Sequence, residues 1–456
     1  MATALPPSGK IHPRLTSGRF NTIRVSIVLL SQLVYFLLPW LSWNHRPAVL
    51  FDLDRQIFYV FGAMFWPQDF VFLAAILVLS ALGLFLWTAL AGRLWCGYAC
   101  PQTVYTQIMI WIERFTLGDH KQRQRLAAAP TSLHKALRLG LTHGVMIGFS
   151  LLTGFTLVAY FTPAPQLLTE LLHNDLGPWQ GFWLLFYAGF TYLLAGFLRE
   201  KVCTHMCPYA RFQGAMFDRN TLIISYDANR GEPRGPQRKQ ADSQSKAGHC
   251  IDCGICVQVC PTGIDIRQGL QYTCIGCAAC IDACDNVMDK IGAPRGLIRY
   301  TSEATLEQQL PEPGFGQRLR QPRVLFYLLL VGSVLALSLM SLLNRPTFKA
   351  DIMRDRASLV RETNDGWLEN SYSIRLTNAT EAPQRLALGV EGLPGIRLAD
   401  GPRVVTLPPT QTITLGVRAQ VEPQHADKGA HDIHFVVRSL THDGVIRREQ
   451  SSFIGE

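Results

Sequence analysis

Apolar residues along this chain are gathered into five long blocks. Each block is close to the roughly 20 residues that a helix needs to cross a bilayer, and none contains Asp, Glu, Lys or Arg. The blocks are Val25–Trp43, Phe70–Ala91, Leu139–Tyr160, Trp179–Leu198 and Val324–Leu343. This pattern predicts a membrane domain over residues 1–218 with four spans, and a fifth span over 324–343. The lipid bilayer is therefore the first expected partner.

The pattern changes after the fifth span. From residue 348 onward, short segments alternate between apolar and polar residues and are separated by Gly, Pro, Asn and Asp turns. Four of these segments are Ser371–Thr377, Thr412–Ala419, Ile433–Val437 and Val445–Glu449. About seven such strands in 348–456 predict an immunoglobulin-like β-sandwich. One turn signal is His442-Asp443-Gly444.

Two polar stretches between the spans predict linkers. Residues 219–248 are rich in Arg, Lys, Gln, Ser, Gly and Pro, and residues 301–322 contain three prolines. They enclose a short domain at 249–300, so we expect that domain to be inserted between the fourth and fifth spans.

Basic residues predict which side of the membrane each loop occupies, because cytoplasmic loops carry an excess of Lys and Arg. Lys10 and three arginines precede the first span, and the loop between spans two and three is also basic. The loop between spans three and four has only Glu170 and Asp175 as formal charges. We expect a cytoplasmic N-terminus and a β-sandwich outside. The net charge of +9 then reflects topology, and no nucleic-acid partner is expected.

Two runs of four cysteines occupy the inserted domain. They read Cys250-x2-Cys253-x2-Cys256-x3-Cys260 and Cys274-x2-Cys277-x2-Cys280-x3-Cys284. This spacing is typical of bacterial ferredoxins with two [4Fe–4S] clusters, where the fourth cysteine of each run ligates the other cluster. It assigns Cys250, Cys253, Cys256 and Cys284 to one cluster, and Cys274, Cys277, Cys280 and Cys260 to the other. Paired zinc knuckles are the alternative, since C-x2-C also suits tetrahedral zinc.

A second set of cysteines forms an internal repeat. Spans two and four are each followed by C-x3-C-P, and Cys96, Cys100 and Pro101 recur 107 positions later as Cys203, Cys207 and Pro208. Proline keeps the residue before it out of the helical conformation, so we expect each motif at a helix end turning into a loop. All 12 cysteines lie on segments predicted to be cytoplasmic, the reducing compartment that iron-binding thiolates need.

Four thiols from two such turns have three possible roles. They can bind a metal or a further cluster, form reversible disulfides, or pack as small apolar side chains. Soft sulfur ligands favour Cu(I), zinc or iron–sulfur, so Cys96, Cys100, Cys203 and Cys207 are candidate ligands of copper or a further metal. His205 and Met206 lie within the second motif and are weaker candidates.

The order of these features resembles the FixG/CcoG/RdxA-type accessory proteins of cbb3-type cytochrome c oxidase assembly. The stretch from Trp95 to Tyr105, WCGYACPQTVY, is especially similar to that family. The resemblance implies a protein of the bacterial inner membrane with a periplasmic β-sandwich. It also implies a cupric reductase that supplies Cu(I) to copper chaperones or transporters and to the oxidase assembly machinery, with an electron donor that the sequence does not identify.

Two other functions fit the same features. One is a membrane subunit that relays electrons to a respiratory partner, since such subunits share the C-x3-C-P and ferredoxin combination. The other is a scaffold whose clusters sense the redox state. The additional span and the external β-sandwich favour the accessory protein, because a simple relay needs neither.

Overall fold

The computed structural model describes residues 11–235, 248–308, 314–355, 360–380, 382–441 and 444–455. Lys10, the turn at His442-Asp443 and parts of the two predicted linkers lie outside these ranges. The chain divides into two compact units, Met1–Ser338 and Leu339–Glu456.

Five helices in the described residues are long and apolar enough to cross a membrane. They are Arg19–Trp40, Phe70–Ala91, Leu133–Val158, Pro178–Leu198 and Pro322–Leu343. The third begins six residues before its apolar block, because Ser132 caps it by accepting a hydrogen bond from the Lys135 backbone N–H at 3.2 Å. The first and third helices therefore begin in polar sequence before their apolar blocks, whereas the second has the same bounds as its block.

Both long and short helices precede the cysteine runs. The α-helices are α1 Arg19–Leu37, α2 Phe70–Ala91, α3 Leu94–Tyr98, α4 Pro101–Leu117, α5 His120–Ala128, α6 Leu133–Val158, α7 Ala164–Leu172, α8 Pro178–Thr191 and α9 Pro208–Met216. Two π-helical segments, Tyr192–Leu198 and Val202–Met206, lie between α8 and α9. Such segments are rare and occur often at functional sites.

Short strands connect the first two spans. They are β1 Ser42–Trp43, β2 Arg46–Pro47, β3 Val49–Asp52, β4 Ile57–Val60 and β5 Ala63–Phe65, and the last three form an antiparallel sheet. The backbone of Phe51 in β3 donates to Tyr160 O at 2.8 Å, which attaches this sheet to the end of the third span.

The inserted domain is closed by two antiparallel strands, β6 Ile223–Tyr226 and β7 Ile298–Thr301. Between them lie α10 Ala228–Gly231, α11 Ile255–Gln258 and α12 Ala279–Ile291, with a 3-10 turn at Ile266–Gln268. The domain therefore begins inside the segment predicted as a polar linker. The apolar run of β6 pairs with β7 and is mostly buried, although the sequence around it is polar.

The second predicted linker also contains helices. These are α13 Glu303–Gln308 and α14 Phe315–Leu319, followed by α15 Pro322–Leu343, the fifth span.

The C-terminal unit is a two-sheet β-sandwich. Its strands are β8 Phe348–Arg354, β9 Arg361–Glu362, β10 Leu368–Asn378, β11 Gln384–Glu391, β12 Arg397–Leu398, β13 Arg403–Leu407, β14 Thr412–Val421, β15 Gly429–Ser439 and β16 Ile446–Gly455. One sheet has the order β12-β14-β10-β8 with β9 beside β10, and the other has the order β13-β11-β15-β16. Tyr372 and Phe435 meet in the core, with their ring centroids 4.8 Å apart. In the described residues the sandwich has nine strands, where the sequence predicts about seven. The two additional strands are β9 and β12, which have two residues each.

Candidate functional site

The two cysteine runs fold into loops with the same backbone signature. Cys253 lies between Asp252 (φ 56°) and Gly254 (φ 64°), and Cys277 lies between Gly276 (φ 69°) and Ala278 (φ 58°). Residues with positive φ let a loop turn tightly around a compact group. Helices α11 and α12 begin directly after these loops, at Ile255 and Ala279.

Two cavities in the inserted domain are lined by different groups of cysteines. Cys250, Cys253, Cys256 and Cys284 line one cavity, together with apolar residues such as Ile251 and Leu297. The other is lined by Cys260, Cys274, Cys277 and Cys280, and also by Cys256, which lines both cavities. The four cysteines that the spacing assigns to one cluster line the first cavity, and the four that it assigns to the other line the second. The residues thus fit two [4Fe–4S] clusters, each of which can carry one electron.

Burial raises the pKa of several of these thiols. It is the main cause that raises the pKa of Cys256 to about 11 and those of Cys274 and Cys284 to about 12. Buried thiols are thiolates only when a cation compensates their charge, so these side chains suit bound iron. Cys253 is the exposed member of the eight.

The first membrane-edge motif follows α2. That helix ends at Gly92 with φ 58°, and the short helix α3 then carries Cys96. Cys100 is extended (φ −60°, ψ 128°) and is the N-cap of α4, whose first residue is Pro101. The predicted helix end turning into a loop is therefore present.

The second motif repeats this geometry. Arg199, with φ 46°, ends the π-helical segment Tyr192–Leu198, and the next segment, Val202–Met206, carries Cys203. Cys207 is extended (φ −74°, ψ 111°) and precedes Pro208, the first residue of α9. The internal repeat is thus a repeat of backbone conformation as well as of sequence.

The four membrane-edge cysteines converge. After burial, Cys100 and Cys207 contribute to raising the pKa of Cys96 to about 12. Burial and then Cys100, Cys96 and Cys207 raise the pKa of Cys203 to about 12, and burial and Cys207 raise that of Cys100. All six pairs of these thiols are therefore close enough to interact electrostatically, and each thiol is partly buried.

The convergent cysteines adjoin the second cavity of the inserted domain. Cys96 and Cys203 pack against the apolar group that contains Ile275 and Cys277. A Cβ atom added to Gly97 would lie 2.7 Å from Gly276 O and 2.8 Å from Cys277 Cα. The first membrane-edge turn is therefore in direct backbone contact with the loop of the second cysteine run.

The side chain of Arg93, which precedes the first membrane-edge motif, reaches the loop of the second cysteine run. Its side chain is 7% exposed and donates to the backbone carbonyls of Tyr272, of Cys274 at 3.1 Å and of Ala210 at 2.6 Å. Its Nε has no hydrogen-bond partner among the residues that the structure describes. The sequence indicated Arg93 only as a topology signal, because a charge count does not show which charges are buried.

A second buried charge cluster was also missed by sequence reasoning. Glu113 forms ion pairs with Arg199 at 2.6 Å and Arg123 at 3.2 Å, with side chains at most 3% exposed. No local pattern reveals these pairs, since Glu113 and Arg199 are 86 positions apart.

The weaker candidates lie at the surface of the second motif. His205 is exposed, with Nδ1 2.7 Å from Thr204 Oγ1, and Met206 is 57% exposed. Over the described ranges, no three His, Cys, Asp or Glu side chains form a group that could hold a single metal ion. The ferredoxin cysteines do not form such a group either.

Three family models match the chain. A 4Fe-4S dicluster domain matches residues 198–303, a 4Fe-4S binding domain matches 73–120, and the Ig-like fold at the C-terminus of FixG matches 338–456. Together with the five apolar helices, they confirm the predicted fold class of a membrane bundle, an inserted ferredoxin domain and an Ig-like sandwich.

Related proteins cover most of the chain. The nitrogen fixation protein FixG of Rhizobium meliloti (strain 1021) is 38% identical over 434 residues, which are 87% of this chain and 83% of that protein. Protein RdxA of Cereibacter sphaeroides is 39% identical over 400 residues, 86% of this chain and 84% of its own length. A crystal structure of a FixG-related protein from Vibrio parahaemolyticus is 21% identical and covers 25% of this chain and 99% of its own, with a TM-score of 0.23, too low to carry an argument. The chain is a membrane iron–sulfur protein that belongs to the FixG/RdxA family.

Proposed function

We propose that this protein reduces Cu(II) to Cu(I) at the cytoplasmic face of the bacterial inner membrane. The observation that carries the proposal is the contact between Gly97 and the Gly276-Cys277 loop, which brings soft sulfur ligands next to a cluster-binding loop. The reduced ferredoxin clusters supply one electron for each Cu(II) ion. A low-potential cytoplasmic one-electron donor replaces those electrons.

The ligands at the membrane edge favour the product of this reaction. Thiolate, thioether and imidazole groups bind Cu(I) more readily than they bind hard cations. A site that stabilises Cu(I) raises the reduction potential of copper, so that electrons from the ferredoxin domain run downhill. Cys96, Cys100, Cys203 and Cys207, with exposed His205 and Met206, supply such groups at one place.

Charge distribution supports this sidedness. Basic loops precede the first span and follow the second, and the cysteines need a reducing compartment. The N-terminus and ferredoxin domain are thus proposed to be cytoplasmic, and the sandwich periplasmic. Reporter fusions after Pro130 and Gly235 should report cytoplasm, and a fusion after His173 should report periplasm.

The proposed partners follow from the product. Cu(I) released at the cytoplasmic face would pass to copper chaperones or transporters. The periplasmic sandwich would contact the assembly machinery of cbb3-type cytochrome c oxidase. These partners come from the family resemblance and are part of the proposal.

The test is anaerobic addition of Cu(II) to the dithionite-reduced protein after removal of excess dithionite. Cu(I), measured with a chromogenic chelator, should appear as the ferredoxin EPR signals disappear. The double variant Cys96→Ser/Cys203→Ser should suppress Cu(I) formation with the ferredoxin signals retained. His425→Ala, an exposed histidine of the sandwich, is the control and should behave as the parent.

Three outcomes would replace the proposal. If the double variant reduces copper as fast as the parent, reduction does not depend on the membrane-edge cysteines. If the clusters are oxidised by a respiratory partner but not by Cu(II), the protein is an electron relay. Loss of function on deletion of the sandwich with intact cluster chemistry would instead favour the scaffold.

A further inference from the structure

Residues 73–120 match a 4Fe-4S binding domain but contain too few cysteines to hold a cluster alone. A [4Fe–4S] cluster is commonly held by four cysteines, and this segment contains only Cys96 and Cys100. The eight cysteines of the inserted domain already line two cavities in groups of four. A cluster on this segment therefore needs two further cysteines from elsewhere.

The fold supplies them. Cys203 and Cys207 stand in the repeated motif and converge with Cys96 and Cys100, with electrostatic interaction between every pair. Cys100 and Cys207 are both N-caps of helices that begin with proline, where the helix dipole stabilises an anionic sulfur ligand. The two halves of the repeat therefore contribute four cysteines, the number that a [4Fe–4S] cluster needs, and Cys96 and Cys203 pack against the same apolar group.

The charges around these thiols call for an anion. Arg93 is buried beside Cys96, Cys203 and Cys207, and also beside Cys274 of the second ferredoxin set. In the described residues its hydrogen-bond acceptors are neutral carbonyls, no carboxylate pairs with it, and its Nε has no hydrogen-bond partner. Burying a lone cation is costly unless a negative group lies close to it. A [4Fe–4S] core with four thiolates carries a net negative charge.

A second group of buried donors lies near Cys203. A cavity of about 40 Å³ is lined by Cys203, Arg24, Gln107 and Thr262, and also by the acidic Glu200. Arg24 and Gln107 are at most 6% exposed, and within the described residues Arg24 Nε and Gln107 Nε2 have no hydrogen-bond partners. These two donors suit an acceptor in the cavity, such as water or an anionic group.

The geometry points to a third [4Fe–4S] cluster, held at the membrane edge by Cys96, Cys100, Cys203 and Cys207. It lies beside the second cavity of the ferredoxin domain, because Gly97 contacts Gly276 and Cys277. The inference goes beyond the proposed function and changes one part of it, because it assigns the four thiols to iron and no longer to copper. With the four thiols occupied by iron, the ligands left for copper at this edge are the exposed His205 and Met206.

The test is the iron and acid-labile sulfide content of the full-length protein, purified anaerobically and reconstituted with iron and sulfide until the count stops rising. About 12 irons per chain are expected from three four-iron clusters. Cys96→Ser/Cys203→Ser should lower the count to about eight and leave the two ferredoxin EPR signals in place. His205→Ala/Met206→Leu is the matched control, since it changes the same turn but should keep about 12 irons.

The parent protein alone can overturn the inference, even if the cysteine variants do not fold. A final count of about eight irons, with one equivalent of Cu(I) bound after copper addition, would assign the four thiols to copper. About eight irons with no copper bound, and a disulfide found by mass spectrometry, would assign them to redox chemistry of the thiols. A count of about 12 that the double variant does not lower would place the additional iron elsewhere. Copper reduction could still occur in each of these cases, so failure here is distinct from failure of the proposed function.

Discussion

Gly92 and Arg199, 107 positions apart, have almost the same backbone conformation. Gly92 has φ 58° and ψ −122°, and Arg199 has φ 46° and ψ −114°. Each ends the helix of a repeated span and turns the chain into a C-x3-C-P motif. Glycine adopts this conformation easily, whereas arginine is strained in it. The side chain of Arg199 forms two interactions that can offset this strain. They are a buried ion pair with Glu113 at 2.6 Å and a hydrogen bond from Arg199 Nε to Gly196 O at 2.9 Å.

The first prediction separates the strain at Arg199 from its ion pair. Arg199→Ala should destabilise the protein by about 3–5 kcal/mol, because it leaves Glu113 in a buried position without one of its partners. Arg199→Gly loses the same ion pair but relieves the backbone, so it should be more stable than Arg199→Ala by about 1–2 kcal/mol. Thermal unfolding of the purified protein in detergent measures the order of the two variants.

Gly92→Ala is the control from the other half of the repeat. It should be destabilising, because a Cβ atom at that position would lie 2.2 Å from Leu222 O. Equal melting temperatures for Arg199→Ala and Arg199→Gly would show that the backbone at Arg199 is not strained.

Much of the architecture could be predicted from local patterns. Apolar length identifies the five spans, and cysteine spacing gives the same two sets of four that line the two cavities. These features depend on residues near one another in sequence or on a known ligand spacing. The C-x3-C-P repeat likewise indicated a turn at each motif.

Long-range contacts could not be predicted in this way. Arg93 and Arg123 read as topology signals, and both are buried against distant groups. Strand β6 was hidden in a polar stretch, because its partner β7 lies beyond both cysteine runs. Gly97 and Cys277 are far apart in sequence, one in the membrane domain and the other in the inserted domain. Only the fold therefore reveals their contact.

The second prediction concerns Asp282, which links α12 to the start of the first span. Its carboxylate accepts hydrogen bonds from the backbone N–H groups of Phe20 at 3.2 Å and Asn21 at 2.7 Å. Asp282→Ala should cost about 0.5–2 kcal/mol, as for loss of an N-cap. Hydrogen exchange at residues 20 and 21 should accelerate. Asp289→Ala is the control on the same helix, because Asp289 forms an ion pair with the exposed Arg295. Unchanged exchange in Asp282→Ala would mean that the cap does not hold the helix end.

The third prediction concerns the buried cation between the cysteine groups. A positive charge stabilises the more negative, reduced state of a nearby cluster, so Arg93→Gln should lower a cluster reduction potential. The shift should be tens of millivolts, since ~1.4 kcal/mol corresponds to about 59 mV for one electron. Arg93→Lys should restore most of it, because the charge is kept. EPR-monitored redox titration measures both variants. Equal potentials in Arg93→Gln and the parent would exclude an electrostatic role for Arg93.

The last prediction tests the contact between the membrane-edge turn and the ferredoxin loop. Gly97→Val places a side chain where Gly276 O and Cys277 Cα already lie, at 2.7 Å and 2.8 Å from the added Cβ. Both atoms belong to backbone and cannot rotate away, so the two loops must separate. Electron transfer to Cu(II) should slow, because the rate of electron tunnelling falls steeply as the distance between donor and acceptor grows. Stopped-flow oxidation of the reduced clusters by Cu(II) measures the rate. Gly83→Ala, in α2 with no heavy atom within 4 Å of the added Cβ, should keep the parent rate. The iron content of Gly97→Val should be determined alongside, because a parent-like rate with intact clusters would show that electrons do not cross at this contact.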